Sequence, residues 1–166
     1  MKRSMPLLTS VVVLVVGAAF GSSAAGEPAI QALGKGVQIY TCQPAGAGFA
    51  WKLKGPEAVL LGDGGRVVGR HFAGPSWQAL DGSVIVGEPL VASPSPQAES
   101  VAWLVLRVKS TSGAGRFANV AYVARTSTQG GTAPTIGCDA AHFDTEVRVP
   151  YSATYTFFTE PSSQAH

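Results

Sequence analysis

The sequence predicts an all-β, antiparallel fold, read first as a β-sandwich, with a partly closed β-barrel as the alternative. Three observations carry this reading. Val147, Val149, Tyr151, Ala153, Tyr155 and Phe157 alternate with Arg148, Pro150, Ser152, Thr154 and Thr156, the period of two of a strand with one buried face. Glycine-rich turn signals recur every eight to twelve residues, the punctuation of a sandwich or barrel. Beyond residue 25 no segment spaces its apolar residues as an amphipathic helix does.

Residues 1–25 read as a signal peptide. Lys2 and Arg3 precede an apolar run from Leu7 to Phe20, and Ser23 and Ala25 occupy the −3 and −1 positions of a cleavage site. The run is shorter than the roughly 20 residues of a membrane span. Cleavage would leave residues 26–166 as a single domain, with a core over 30–158, a flexible tail over 160–166 and no membrane span. It would remove two of the 12 basic residues and none of the 10 acidic ones, making the domain formally neutral. Such a surface offers no footprint for nucleic acid. The expected location is exported, periplasmic or extracellular. There, Cys42 and Cys138 are expected to pair as a disulfide, with free thiols or metal ligands as the competing reading. That bridge would contribute about 4–5 kcal/mol in the chain-entropy model.

The elements follow in order. Val37 to Cys42 reads as a strand, and Phe49, Trp51 and Leu53 alternate with Ala50, Lys52 and Lys54. Val59 to Leu61, Arg66 to Phe72 and Val84 to Val86 are shorter strands, punctuated by the turn pairs Asp63-Gly64 and Asp81-Gly82. Gly87 to Ser100, with Pro89, Pro94 and Pro96, is expected as an exposed crossover. Val101 to Val108 reads as a strand buried on both faces, joined through Gly113–Gly115 to Ala118–Ala124. Thr126 to Pro134 is expected as a loop. Pro150, without an amide hydrogen, places the last strand at an edge or a bend.

The ordered motifs Gly36-x-Gln38-x-Tyr40-x-Cys42, Pro56-x-Ala58-x-Leu60, His71-x-x-Gly74-Pro75-x-Trp77-x-x-Asp81-Gly82-Ser83, Trp103-Leu104, Tyr122-Val123-x-Arg125-x-x-Thr128-x-Gly130-Gly131-x-Ala133-Pro134, Cys138 and Val149-x-Tyr151-x-Ala153-x-Tyr155-x-Phe157 cover residues 30–158. Together they resemble the secreted bacterial and fungal family known as domain of unknown function 3455. The resemblance implies an exported β domain and carries no activity with it.

The residues themselves offer few chemical constellations. Gly113-Ala-Gly115-Arg-Phe-Ala118 spells a dinucleotide fingerprint, but it lies between β-like runs with no helix to receive a pyrophosphate, so it reads as a turn. The densest cluster runs from Arg70 to Ser83. There His71 and Asp81 could form an acid–base pair or hold a ligand, while turn and core roles account for most of the same letters. Arg125, beside a glycine-rich loop, offers donors to a carboxylate or sulfate. Trp51 and Trp103 are assigned to the core, and Trp77 is expected to be partly exposed. His71, His142, Asp139, Asp144 and Cys138 make a poor ligand set for zinc or copper. The function read from this is a non-enzymatic binding or surface-interaction module for an unknown small molecule or protein. Its candidate contacts are His71, Trp77, Asp81 and Arg125, with no cofactor, no metal and no assigned catalytic residue. The alternative is a small secreted hydrolase or lyase using His71 and Asp81.

Overall fold

The structure is a computed structural model that describes residues 28–160. The signal segment 1–25 and residues 161–166 of the expected tail lie outside the described residues. Eight strands, β1 (Pro28–Ala45), β2 (Gly48–Leu61), β3 (Val67–Phe72), β4 (Ser76–Ala79), β5 (Val84–Ser93), β6 (Trp103–Ser112), β7 (Val120–Gly130) and β8 (Glu146–Thr159), follow one another around the molecule. Each pairs antiparallel with its neighbours in sequence, and β8 returns to pair with β1, so one sheet closes on itself. The antiparallel all-β class is therefore as expected. The strands form a single ring rather than two stacked sheets, a distinction that alternation alone cannot make, because both architectures bury every second residue.

The alternation of β8 becomes the inner wall. Tyr151, Ala153, Tyr155 and Phe157 are buried and meet Ala32, Leu60, Trp77, Ile85, Leu106 and Val123 inside the ring. Burying a large apolar side chain of this kind stabilises the fold by roughly 1.5–3 kcal/mol. Phe117, from the β6–β7 connection, stacks on Phe157 at 4.7 Å and closes the end where the described chain begins and finishes. At the opposite end lie the β1–β2, β3–β4, β5–β6 and β7–β8 connections. There the Cys42–Cys138 disulfide, with Cα atoms 5.3 Å apart, ties the β7–β8 connection to β1. Backbone bonds from Cys42 N to Thr145 O and from Asp144 N to Cys42 O, both 2.9 Å, reinforce it.

Several expectations are corrected. Ser76–Ala79 is a strand, and Trp77 on it is 1% exposed rather than partly exposed, because it points inward beside His71, its partner in register. Trp51 and Trp103 are only partly buried, and Trp51 donates its indole N–H to Ile136 O at 3.0 Å. The first half of the segment Gly87 to Ser100 is strand, since β5 continues to Ser93 with an irregularity between Pro89 and Val91, while the rest is connection. β7 likewise runs on to Gly130 through a bulge between Thr126 and Gln129. β6 buries one face, not two, leaving Val105 exposed on the outside of the ring. Pro150 sits just past Tyr151, the last β8 residue paired with β7, and so needs a ladder partner only on its β1 side.

Candidate functional site

The predicted residues fall into three environments. His71 and Trp77 come together inside the ring, their rings parallel to within 7° and 4.6 Å apart, with Tyr155 edge-on to His71 at 5.0 Å. His71 Nδ1 donates to Ser76 O at 2.8 Å, which fixes that nitrogen as the protonated one, since a carbonyl can only accept. Burial lowers its pKa to about 4; the Ser76 bond works against the shift and the nearby Arg125 charge adds to it. At neutral pH His71 is a neutral core imidazole.

Asp81 lies elsewhere, on the β4–β5 turn. One carboxylate oxygen accepts from Ser83 N at 3.0 Å and Ser83 Oγ at 2.6 Å, and the other accepts from Arg116 N at 2.7 Å. These bonds, the Ser83 hydroxyl's first, hold its pKa below the ordinary value. Phe117 N also donates to Ser83 Oγ at 3.2 Å, so Asp81 and Ser83 together clamp the β6–β7 connection. A Cβ at Gly115 would come within 2.6 Å of the Asp81 carboxylate, so a side chain there would push that carboxylate from its present place. The hydrogen bonds of His71 and Asp81 go to different partners, and the acid–base pair is not assembled.

Arg125 occupies the third environment. It pairs in register with the buried Tyr155, and its Nε and Nη2 donate to Ala102 O at 3.0 and 2.7 Å. No ion pair engages it among the described residues. Its charge lowers the pKa of Tyr40, Tyr151 and Tyr155, although burial dominates and raises all three. Tyr151 and Tyr155 share a hydrogen bond of 3.2 Å, and Tyr40 donates to Gly131 O at 2.6 Å.

Above this cluster, on the disulfide end, lies a groove of about 790 Å³ between the β5–β6 and β7–β8 connections. Its floor is Gly130 and Gly131, both with positive φ; Ser100 forms a bridge to Gly131, and its hydroxyl accepts from Gly130 N at 3.0 Å and donates to Ala98 O at 3.2 Å. Gln38, 2% exposed, packs directly beneath Gly131 and carries an amide nitrogen without a protein partner. Glu99 is the only ionisable residue in the groove lining. The sequence pointed to part of this wall through the Gly130-Gly131-x-Ala133-Pro134 motif. The opposite wall, Gln97 to Ser100, was read as plain connection, because nothing in its own letters shows what it faces.

A disulfide-tied, closed antiparallel sheet with a loop-walled groove at one end defines the class: a small all-β domain. The chain matches the family described as protein of unknown function (DUF3455) over residues 23–159, and it belongs to that family. No curated protein and no solved structure matches it. Among the described residues no helix is long and apolar enough to cross a membrane. No group of three or more His, Cys, Asp or Glu is placed among them to hold a metal ion.

Proposed function

We propose that the domain is an extracytoplasmic, non-enzymatic binding module whose ligand lies in the groove at the disulfide end. The observation that carries this is the chemistry of the lining. The Thr132 hydroxyl, which donates to Glu99 O, and the Ser100 hydroxyl, which donates to Ala98 O and accepts from Gly130 N, each keep a lone pair for a donor. Pro134 and Val149 offer apolar surface, and Glu99 is the sole titratable group of the lining. Acid–base catalysis needs a convergent pair, whereas a neutral polar ligand needs hydrogen-bonding groups beside an apolar strip. A neutral oligosaccharide or an extended peptide has that character. On this reading His71 and Trp77 are scaffold inside the ring, Asp81 is a clamp at the far end, and Arg125 supports the groove through Ala102. The disulfide is consistent with an oxidising, exported setting.

Titration of the isotope-labelled domain with cellotetraose and with a short neutral peptide tests the site. Amide shifts should centre on Ser100, Gly130, Gly131 and Thr132. Shifts confined to other faces, silence with both probes, or turnover of either one would reject the reading. Export is tested separately by N-terminal sequencing of the secreted product, which should begin at Gly26.

A further inference from the structure

We propose that a second cleft, at the end opposite the groove, binds an oxyanion of the carboxylate, sulfate or phosphate class. It has a volume of about 250 Å³, and Gln31 of β1, Asp63 and Arg66 of the β2–β3 connection and Arg116 of the β6–β7 connection line it. Neither arginine is engaged in an ion pair among the described residues. Two arginines that line one small cleft without a salt-bridge partner can supply the forked donors that carboxylate, sulfate and phosphate groups accept.

Both arginines are carried on fixed backbone. Arg116 N is bonded to the Asp81 carboxylate, and its neighbour Phe117 is pinned by Ser83 Oγ and by stacking on Phe157. Arg66 O accepts from Gly62 N at 2.9 Å, closing the short 3-10 turn Asp63–Gly65. Less of the binding free energy is then lost to ordering the loops. Two carboxylates temper the charge. Asp63 lines the same cleft without bonding either arginine, and Asp81 lies beside it, accepting from Arg116 N at 2.7 Å. An anion held by the two arginines is therefore opposed by Asp63 from within the cleft. No step of this argument depends on the groove.

The experiment titrates the folded domain with phosphate, sulfate and acetate, with chloride at matched ionic strength as the control, and follows the Arg66 and Arg116 side-chain resonances. Saturable shifts absent with chloride are expected. Arg66→Gln and Arg116→Gln should each weaken binding about tenfold, the cost of one charge-assisted contact. Asp63→Asn should tighten it, an outcome that a merely damaged fold cannot produce. A preference among the three anions identifies the ligand's charged group. Equal shifts with chloride, binding unchanged in both arginine variants, or weaker binding in Asp63→Asn would each overturn the proposal. The groove amides should stay still throughout, so this site and the groove fail or stand separately.

Discussion

His71 sits inside the ring against Trp77 and Tyr155, where burial and the Arg125 charge disfavour a second proton on the imidazole and outweigh the opposing bond to the Ser76 carbonyl. Its folded pKa of about 4 lies below the unfolded value of 6.5, so the unfolded chain takes up the proton first. Stability from this residue is complete above about pH 6.5 and drains away as pH falls toward 4, a loss on the order of 3 kcal/mol. Unfolding midpoints measured between pH 8 and 4 should fall more steeply for the natural chain than for His71→Phe; parallel slopes would rule the residue out as the acid-sensitive group. Asp81 behaves in the opposite local sense, as an exposed acceptor whose value lies in the backbone it holds. Asp81→Ala should speed hydrogen exchange at the Arg116 and Ser83 amides while leaving Gly131 protected. Unchanged exchange at both would show that the clamp is not formed by the carboxylate.

Among the elements, the β7 bulge and the glycines that end it do most to shape the groove. Gly131 has φ +86°, and a Cβ there would meet Tyr151 Cβ at 2.7 Å, Gln38 Cγ at 3.1 Å and Val101 Cγ1 at 3.2 Å. Gly131→Ala should therefore cost about 2–4 kcal/mol, since it combines backbone strain with overpacking. A thermal melt within a degree of the natural chain would contradict the packing described. These same features mark the limit of what the letters reveal. β8 was readable almost to the residue because its inward positions are all apolar or aromatic and most of its outward ones are polar. β4 was not, because its four residues lie between turn signals that explain the sequence equally well. β5 was read too short because Gly87 and Pro89 mark irregularities within it rather than its end, and β7 because its polar run Thr126–Gln129 holds a bulge rather than a loop. Of the candidate site, the Gly130–Pro134 wall was visible as a loop signal. The cleft of Arg66 and Arg116 was not, because 50 positions separate its two arginines and only the ring brings them together.

Across the whole molecule, the Cys42–Cys138 bridge spans 96 residues and fastens the connection that walls the groove. Replacing both cysteines by alanine should lower stability by up to about 4–5 kcal/mol, read from the denaturant midpoint. Exchange should also rise at Asp144, whose amide bonds Cys42 O beside the bridge. A loss below roughly 1 kcal/mol would mean that the ring holds this connection without help from sulfur. The closure of that ring has a consequence for engineering. Pro28 and Phe158 are partners on adjacent strands, so a few added residues would splice them. The circle could then be cut at an exposed hairpin such as Gly46–Ala47, and a permuted chain should find the same arrangement from a new starting point.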